Sequence, residues 1–361
     1  MPDRPEMIGA IIISDDLTGA LDSAAAFAAR GCVTRVALSP EALGDGVDPD
    51  VDVLAVSTNS REAEAETACD AVAAVRAGLD RLGARAASAV MFKKIDSRLK
   101  GHVAVEAGAL RHAGQPVLVC PAIPRLGRFV SAGAVTGAGV AEPLPVAPAC
   151  AGLSADIPDA GDDAALDRIV AQAASGTLFV GAAGLAEALA RRIAPGHEPV
   201  PPRLPAPALL AVGSRDPVSL AQLEGLSCVS APNGAVPADL GPDDRPCRIV
   251  QMTQGDTTIP GAEAGAAFAD GIGGHVRAAR PATLIACGGE SAAAVLRGLG
   301  VRWLALEGEA LPGVPVARTR GLDPELTVVT KSGGFGARDT FTRLIAMLAM
   351  PEAATKRGAM P

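Results

Sequence analysis

Two neighbouring carboxylates stand at the end of the first apolar run of the chain. Asp15 and Asp16 follow the β-prone run 8–13 and precede a segment, 17–30, with the pattern of a helix. A carboxylate in that position can accept the proton of a hydroxyl group or bind the hydroxyls of a polyol. It can also simply cap the helix, because aspartate is a preferred N-cap residue. Both interpretations remain open for this pair.

Cationic side chains follow two further predicted strands. The polar turn 57–61 ends in Arg61, whose guanidinium could grip a carboxylate with two parallel hydrogen bonds. The segment 93–100 contains four cations, which is a high density for an acidic protein. A solvated basic loop and an anionic-sugar site both fit this pattern. The residues of this segment that we single out as candidates are Lys94, Asp96 and Ser97.

Glycine-rich turns follow three predicted strands in the second half of the chain. They are 213–214, 287–291 and 331–336. Glycine lets backbone N–H groups approach a phosphate, and a helix N-terminus favours negative charge. Each could equally be only a tight turn. The sequence contains no GxxxxGK[ST], complete GxGxxG, HExxH or GxSxG motif, which disfavours a P-loop ATPase and a standard dinucleotide-binding domain.

Composition narrows the functional class. The 361 residues carry a net charge of −8, with no Tyr, one Trp and seven Phe. A general nucleic-acid binder would show a basic stripe and aromatic stacking platforms, and this sequence has neither. The seven cysteines show no CxxC spacing, so neither a zinc site nor a disulfide framework is indicated. With no signal-peptide pattern and no run of about 18 apolar residues, we expect a soluble, cytoplasmic protein that binds no membrane.

Strand-like runs alternate with helical segments along both halves of the chain. This alternation predicts an α/β fold with two domains, each a mainly parallel sheet flanked by helices. The first half is predicted to have strands at 8–13, 33–38, 51–56, 90–94, 117–120 and 177–181, and helices at 17–30, 62–82, 101–112 and 184–193. The second half is predicted to have strands at 209–212, 248–252, 284–286, 303–306 and 326–330, and helices at 220–226, 262–279, 291–299 and 339–349.

The domain boundary is predicted at a proline-rich stretch. Residues 194–208 hold six prolines, which remove backbone donors and exclude a helix or a central strand. We therefore expect a sugar-acid-binding domain at 1–193, a linker at 194–208, a nucleotide-binding domain at 209–350 and a flexible tail at 351–361. Segment 133–163 is rich in Gly, Pro and Ala and has no clear assignment.

An ordered set of motifs resembles the four-carbon acid sugar kinase family and spans nearly the whole chain. The motifs are IIISDDLTGALDSA (11–24), STNSR (57–61), FKKIDSRLKGHV (92–103), CPAIPRLGR (120–128), GAAGLAEAL (181–189), GSRDPVSLAQ (213–222), CGGESAAAVLRGLG (287–300), EGEALPGVPV (307–316) and VTKSGGFG (329–336). The resemblance implies an ATP-dependent kinase that phosphorylates a hydroxyl, usually the terminal one, of threonate, erythronate or 3-oxo-tetronate. It implies ATP as co-substrate with Mg²⁺, whose protein ligands we cannot name, and it is compatible with a homodimer.

The resemblance also implies roles for individual residues. Asp15 or Asp16 would orient or deprotonate the attacking hydroxyl, with Asp16 preferred because it adjoins the predicted helix. Arg61 or Lys94 would hold the substrate carboxylate, in a cleft between the two domains whose closure excludes water. Residues implied at the sugar acid are Asp15, Asp16, Arg61, Lys94, Asp96 and Ser97. Residues implied around ATP are Ser214, Gly288, Gly289, Glu290, Ser291, Gly333, Gly334 and Gly336.

Three departures from the family pattern keep an alternative open. The second-half GS motif reads GSRDPVS, Glu290 replaces the aspartate of a GGDT-like turn, and the chain is short between residues 133 and 156. The first two favour a non-catalytic sensor of sugar acids and nucleotides with a degenerate ATP site. A reductase or isomerase would need the dinucleotide fingerprint that the sequence lacks.

Overall fold

The computed structural model describes residues 7–196, 201–240 and 245–349. The predicted tail 351–361 and part of the predicted linker lie outside these residues. The chain divides into two compact units. The first unit comprises the described residues up to Pro201 together with 300–309 and 315–321, and the second comprises the described residues of 202–299, 310–314 and 322–349. The sequence-based boundaries do not anticipate this return of the chain to the first unit.

Strands and helices alternate through most of the chain. The strands are β1 (Ala10–Ser14), β2 (Thr34–Ala37), β3 (Val53–Ser57), β4 (Val90–Lys94), β5 (Val117–Cys120), β6 (Arg128–Ser131), β7 (Ala134–Gly137), β8 (Leu144–Pro145), β9 (Leu178–Gly181), β10 (Leu204–Pro205), β11 (Ala208–Val212), β12 (Val229–Pro232), β13 (Cys247–Thr253), β14 (Thr283–Cys287), β15 (Trp303–Leu311), β16 (Val314–Arg320), β17 (Thr327–Lys331) and β18 (Leu348–Ala349). The helices are α1 (Leu17–Ala28), α2 (Ala65–Asp80), α3 (Ala84–Ala87), α4 (Val103–Leu110), α5 (Val146–Ala149), α6 (Asp163–Gln172), α7 (Ala183–Ile193), α8 (Pro217–Gln222), α9 (Gly261–Ala279), α10 (Gly289–Gly298) and α11 (Thr340–Ala346).

The first unit is built on a sheet with the strand order β16-β15-β2-β3-β1-β4-β9-β5. The strands from β2 to β5 in this order are parallel, and β15 pairs with β2 in the antiparallel sense. Every residue of β1 is buried, as expected for a parallel strand with both faces covered. Helices α2 and α4 contribute to the core on one face, where Val72 and Ala107 pack with Ile11 and Ile13.

The second unit is built on a parallel sheet with the strand order β12-β13-β11-β14-β17. Its central strands β11, β14 and β17 are buried along their whole length. A separate two-stranded sheet pairs β10 with β18. In both units the first long strand has neighbours on either side that come later in the chain, which is the strand arrangement that creates a ligand site at its carboxyl end.

The fold class is confirmed: helices flank mainly parallel sheets. Several elements differ from the prediction, and among them helices α3, α5 and α6 and the short strand β10 were not predicted. A three-stranded antiparallel sheet, β6-β7-β8, has two of its strands, β7 and β8, in the segment 133–163 that had no assignment, and β6 lies just before it. Strands β12 and β16 were not predicted. The last predicted helix ends at Ala346, because residues 348–349 form β18 with Leu204 and Pro205. No helix in the described part of the chain is both long enough and apolar enough to cross a membrane.

Candidate functional site

Three loops of the first unit leave neighbouring strands at the same edge of the sheet. Ser14, the last residue of β1, is in register with Ser57 of β3 and Lys94 of β4. The residues that follow these three strands therefore lie at one carboxyl edge, where ligands of parallel α/β sheets bind. The structure brings together the residues predicted at the sugar acid, because all of them come from these loops or from the end of β4.

The Arg61 guanidinium is paired with both aspartates at once. Its Nε and Nη2 donate to the two oxygens of Asp15 at 2.9 and 2.7 Å. Its Nη1 and Nη2 donate to the two oxygens of Asp16 at 2.9 Å each. Four of the five guanidinium N–H groups are therefore engaged in two bidentate pairs. In this arrangement a substrate carboxylate at Arg61 would compete with two carboxylates of the protein.

The two aspartates differ in their access to solvent. The Asp15 side chain is 2% exposed and the Asp16 side chain is 22% exposed. Burial alone raises the pKa of Asp15, but the Lys93 charge and the hydrogen-bonded Arg61 together hold that pKa below its ordinary value. Burial lowers the pKa of Arg61, and the aspartates outweigh that effect and raise it further above its ordinary value. Asp16 is therefore the more solvent-accessible carboxylate of the pair.

Asp16 is also the N-cap of α1. Its Oδ1 accepts from the backbone N–H of Gly19 at 2.9 Å and its Oδ2 from the hydroxyl of Thr18 at 2.6 Å. A Cβ on Gly19 would collide with Asp16 Oδ1 and lie 2.6 Å from Ser14 Oγ, so this turn requires glycine. The capping interpretation of Asp16 is confirmed, and it fixes the carboxylate at the strand end without excluding a second role.

A buried polar network supports the loop that carries Arg61. Lys93 Nζ lies 3.1 Å from Glu106 Oε2, and Glu106 Oε1 accepts from the Ser60 hydroxyl. The Ser60 and Thr58 hydroxyls are 2.7 Å apart, and the Ser60 N–H donates to the Asp15 carbonyl at 2.9 Å. These contacts fix the backbone on either side of the Arg61–Asp15 pair. Sequence reasoning missed Glu106, whose one signal was a carboxylate within the otherwise apolar helix α4.

Lys94 and Asp96 follow each other at the end of β4. The buried Lys94 ammonium donates to the Ile95 carbonyl at 2.9 Å, and it lies near Gly19 in the first turn of α1. Asp96 accepts from the Arg98 N–H at 2.9 Å, and its charge acts on Arg61. The Lys94 ammonium therefore lies close to the N-terminus of α1, which Asp16 caps.

Ser97 connects the same loop to a residue that the sequence reasoning did not single out. Its buried hydroxyl accepts from Nη1 of Arg128, whose Nε and Nη2 donate to the Ala138 carbonyl at 3.1 and 2.8 Å. Arg128 lay within a motif of the family resemblance, but nothing in its local sequence distinguished it from a surface arginine.

Glycine turns of the second unit meet at the carboxyl ends of β11, β14 and β17. The Gly213 N–H donates to the Cys287 carbonyl at 3.0 Å, and the Gly288 N–H donates to the Lys331 carbonyl at 2.9 Å. A Cβ on Gly213 would collide with the Ser291 hydroxyl, and a Cβ on Gly333 would collide with the Ser214 hydroxyl. The turns therefore approach one another more closely than any side chain would allow.

The predicted nucleotide residues fall into two groups. Gly288 and Gly333 lie against Ser214, Ser291 lies against Gly213, Gly334 adjoins Asp216, and Gly289 is the first residue of α10. Glu290 is exposed, and Gly336 lies instead beside Thr340 and Gln222. Its left-handed φ of 92° favours glycine.

Lys331 is the buried cation beneath these turns. Its Nζ donates to the Ser332 and Gly333 carbonyls at 3.0 and 3.3 Å and to the Ser219 hydroxyl at 3.3 Å. Burial lowers the pKa of Lys331, an effect that Cys287 and Asp216 oppose, and burial raises the pKa of Cys287. Lys331 holds the shape of the last glycine turn. It stood in the motif 329–336 but was not among the predicted site residues.

Within residues 7–196, 201–240 and 245–349, no group of three His, Cys, Asp or Glu side chains could hold a metal ion. Asp15 and Asp16 are paired with Arg61, and Asp216 is the carboxylate that lies against Gly333 and Gly334. Asp216 also caps α8 by accepting from the Val218 N–H at 2.9 Å.

Comparison with known proteins identifies the family. Residues 10–147 match the family model of a sugar-binding N-terminal domain, and residues 236–341 match that of a nucleotide-binding C-terminal domain. A D-threonate kinase of Bordetella bronchiseptica is 30% identical over 396 aligned positions, covering 92% of this chain and 95% of the relative. A 3-oxo-tetronate kinase of Methylobacterium radiotolerans is 29% identical, covering 93% and 98%. The chain belongs to the four-carbon acid sugar kinase family and is a phosphotransferase with an alcohol group as acceptor, which confirms the resemblance.

Solved structures support the fold independently. A protein of Salmonella typhimurium LT2 superposes with a TM-score of 0.73 at 19% identity, covering 94% of this chain and 99% of that one. A protein of Haemophilus influenzae superposes with a TM-score of 0.69 at 18% identity, covering 94% and 100%. At these identities the likeness concerns the fold alone.

Proposed function

We propose that the protein transfers the terminal phosphoryl group of ATP to a hydroxyl, the terminal one, of a four-carbon sugar acid such as threonate, erythronate or 3-oxo-tetronate. The observation that carries the proposal is the partly exposed Asp16 carboxylate, fixed by Arg61 and α1 at the carboxyl edge of the first unit's sheet. A hydroxyl placed there has a proton acceptor within the same polar loop cluster. The kinase relatives, 30% identical over most of their length, support the reaction class.

In this proposal the first unit binds the sugar acid. Asp16 accepts the proton of the attacking hydroxyl, while Asp15 and Arg61 hold its orientation through the double bidentate pair. Lys94, Asp96 and Ser97 bind the remainder of the substrate. Phosphoryl transfer needs mainly positioning and charge stabilisation. The Asp16 carboxylate is held in position by two hydrogen bonds from Arg61 and by one each from Gly19 and Thr18.

The second unit binds the nucleotide in this proposal. The N–H groups of Gly213 and Gly288 donate to the Cys287 and Lys331 carbonyls, so the donors proposed for the nucleotide are the first N–H groups of α10, which begins at Gly289 with its positive dipole end. These features fit a polyphosphate. The residues proposed at ATP are Ser214, Gly288, Gly289, Glu290, Ser291, Gly333, Gly334 and Gly336. ATP supplies the phosphoryl group, and we expect Mg²⁺ to accompany it because the phosphate charge must be neutralised.

A coupled ADP-release screen over four-carbon sugar acids with Mg-ATP tests the proposal. We expect turnover with one or more of D-threonate, erythronate and 3-oxo-tetronate, and none with the Asp16→Asn variant beyond a small residual rate. Binding of a non-hydrolysable ATP analogue is measured separately by calorimetry. Binding of both ligands without turnover would favour the sensor, and turnover of none of the acids would contradict the kinase proposal.

Hydrogen exchange tests the assignment of each ligand to its unit. With the ATP analogue alone, we expect protection in 213–216, 287–291 and 332–336. With the sugar acid alone, we expect protection in 14–19, 57–61 and 94–98. Primary protection by the nucleotide in 90–101, with none in the glycine turns, would overturn the assignment.

A further inference from the structure

Arg128 presents unused hydrogen-bond donors although its side chain is buried. Arg128 is 7% exposed. Its Nε donates to Ala138, its Nη1 donates once to Ser97, and its Nη2 donates once to Ala138. A guanidinium has five N–H groups, so one donor on each terminal nitrogen has no acceptor in the part of the chain that the structure describes. Buried donors are rarely left unpaired, which points to an acceptor from outside the chain.

The charges around Arg128 are not balanced by the protein. Within the described ranges no carboxylate forms an ion pair with Arg128, whereas Arg61 is paired with two. Burial and the charge of Arg98 lower the pKa of Arg128, and Asp96 opposes them. Asp96 also acts on Arg61, which Asp15 and Asp16 already pair, so the charges acting on Arg128 itself are those of Arg98 and of the single carboxylate Asp96. The local excess of positive charge favours an anion.

The position of Arg128 connects this excess to the proposed site. Arg128 is bonded to Ser97, which lies three residues after the end of β4, and β4 is the direct neighbour of β1. Asp15 and Asp16 follow β1. A small molecule with an anionic end at Arg128 would therefore extend along the carboxyl edge of the sheet towards Asp16.

We propose that Arg128 binds the carboxylate of the substrate and makes the enzyme select sugar acids over neutral polyols. This inference rests on the proposed function, and it assigns the carboxylate to Arg128 in place of Arg61. The two free donors lie on the two terminal nitrogens of one planar group, which is the arrangement that suits bidentate binding of a carboxylate. Ser97 and Ala138 hold the guanidinium so that these donors stay available.

The test compares an acid with its uncharged analogue. The variants are Arg128→Met, which removes the guanidinium, and Arg128→Lys, which keeps the positive charge but lacks the planar pair of donors needed for bidentate binding of a carboxylate. The probes are D-threonate and D-threitol, which differ in the carboxylate. The matched control is Arg111→Met, because Arg111 also donates to a backbone carbonyl of the first unit, that of Leu153, and is not part of the proposed site.

We expect Arg128→Met to lower kcat/KM for D-threonate by about 10²-fold or more, the scale of losing one partner of a buried charge pair. The kcat/KM for D-threitol should change less than about threefold, so that the ratio of kcat/KM for D-threonate to that for D-threitol falls sharply. The Kd for D-threonate without nucleotide should rise in parallel, and the Kd for the ATP analogue should not change. Arg128→Lys should fall between wild type and Arg128→Met, and Arg111→Met should keep the preference.

Equal losses on both probes would show that Arg128 only supports the turn around Ala138, and they would overturn the proposal, as would an unchanged Kd for D-threonate. If Arg128→Met does not fold, the variants Arg128→Lys and Arg98→Gln, the latter at the surface, are measured instead. The proposal is overturned if neither of these variants weakens the binding of D-threonate. If wild type binds D-threonate but phosphorylates no acid, the kinase proposal fails, while the Kd comparison still decides the role of Arg128.

Discussion

Lys93 and Glu106 form an ion pair of 3.1 Å in which the side chains are 0% and 1% exposed. Lys93 lies on β4 and Glu106 on α4, so the pair joins the central sheet of the first unit to a helix that covers it. Glu106 also accepts from Ser60, next to Arg61. The pair therefore lies directly behind the residues that we propose to bind the substrate.

Removal of one partner of this pair should strongly destabilise the protein. Lys93→Met leaves Glu106 as an uncompensated buried charge, and Glu106→Leu does the same to Lys93, so we expect each to lower the free energy of unfolding by about 3–5 kcal/mol. The double variant should lose much less than the sum of the two. Denaturant unfolding of all four proteins measures the coupling, and strictly additive losses would contradict the structural role of the pair.

The stability of the first unit should depend on the ionisation of Asp15. The folded pKa of Asp15 is lowered, so its charge stabilises the fold fully above the unfolded pKa of about 3.9 and stops doing so as the pH falls through the folded pKa. We expect the stability advantage of wild type over Asp15→Asn to be constant above about pH 5 and to shrink below about pH 4. Asp70→Asn, at an exposed position of α2, controls for the change in net charge. An advantage that grows on acidification would contradict the ion pair with Arg61.

The glycine turns of the second unit should tolerate no side chain at Gly333. A Cβ there would collide with the Ser214 hydroxyl and lie 3.3 Å from the Cβ of Asp216. We expect Gly333→Ala to raise the Kd of a non-hydrolysable ATP analogue at least tenfold, which is about 1.4 kcal/mol, with the Kd for D-threonate unchanged. Gly298→Ala is the matched control, because a Cβ at Gly298 would meet no atom within 4 Å. Equal effects of the two substitutions would exclude a specific role for Gly333 in nucleotide binding.

The strand ends were predictable from sequence because their signals are local. An apolar run that ends in Ser14-Asp15-Asp16 and continues into an Ala-rich helix specifies β1, the cap and α1 within a few residues. The same reasoning located Arg61 and the turns at Gly288 and Gly333. By contrast, strands β7 and β8 lie in a Gly-, Pro- and Ala-rich segment that shows no regular alternation. Nothing in the sequence around β15 indicates that β2 is its antiparallel partner.

The missed site residues depend on contacts between distant parts of the chain. Arg128 binds Ser97 across 31 positions, and Glu106 binds Ser60 across 46. Lys331 reaches Ser219 across 112 positions. These side chains become buried and meet their hydrogen-bond partners only when the sheet is assembled. A sequence pattern therefore shows that a residue is charged but does not show that it is buried. The sequence also did not show that Arg61 is hydrogen-bonded to both Asp15 and Asp16.

Asp16 and Asp15 should separate into a catalytic and a structural role when each is replaced by asparagine. Asn keeps the size and much of the hydrogen bonding of Asp but removes its basicity, and general-base assistance contributes roughly 10²–10⁴ in rate. Asp16 is 22% exposed and Asp15 is 2% exposed, so we propose that Asp16 is the one that meets a substrate hydroxyl. We expect Asp16→Asn to lower kcat by about 10²–10⁴ with a much smaller change in D-threonate affinity, and Asp15→Asn to act mainly on affinity and stability. Steady-state kinetics and calorimetry on both variants measure the split. If both keep kcat within about threefold of wild type, neither is the base, and Asp96, whose charge acts on Arg61 from the same edge of the sheet, becomes the next residue to replace.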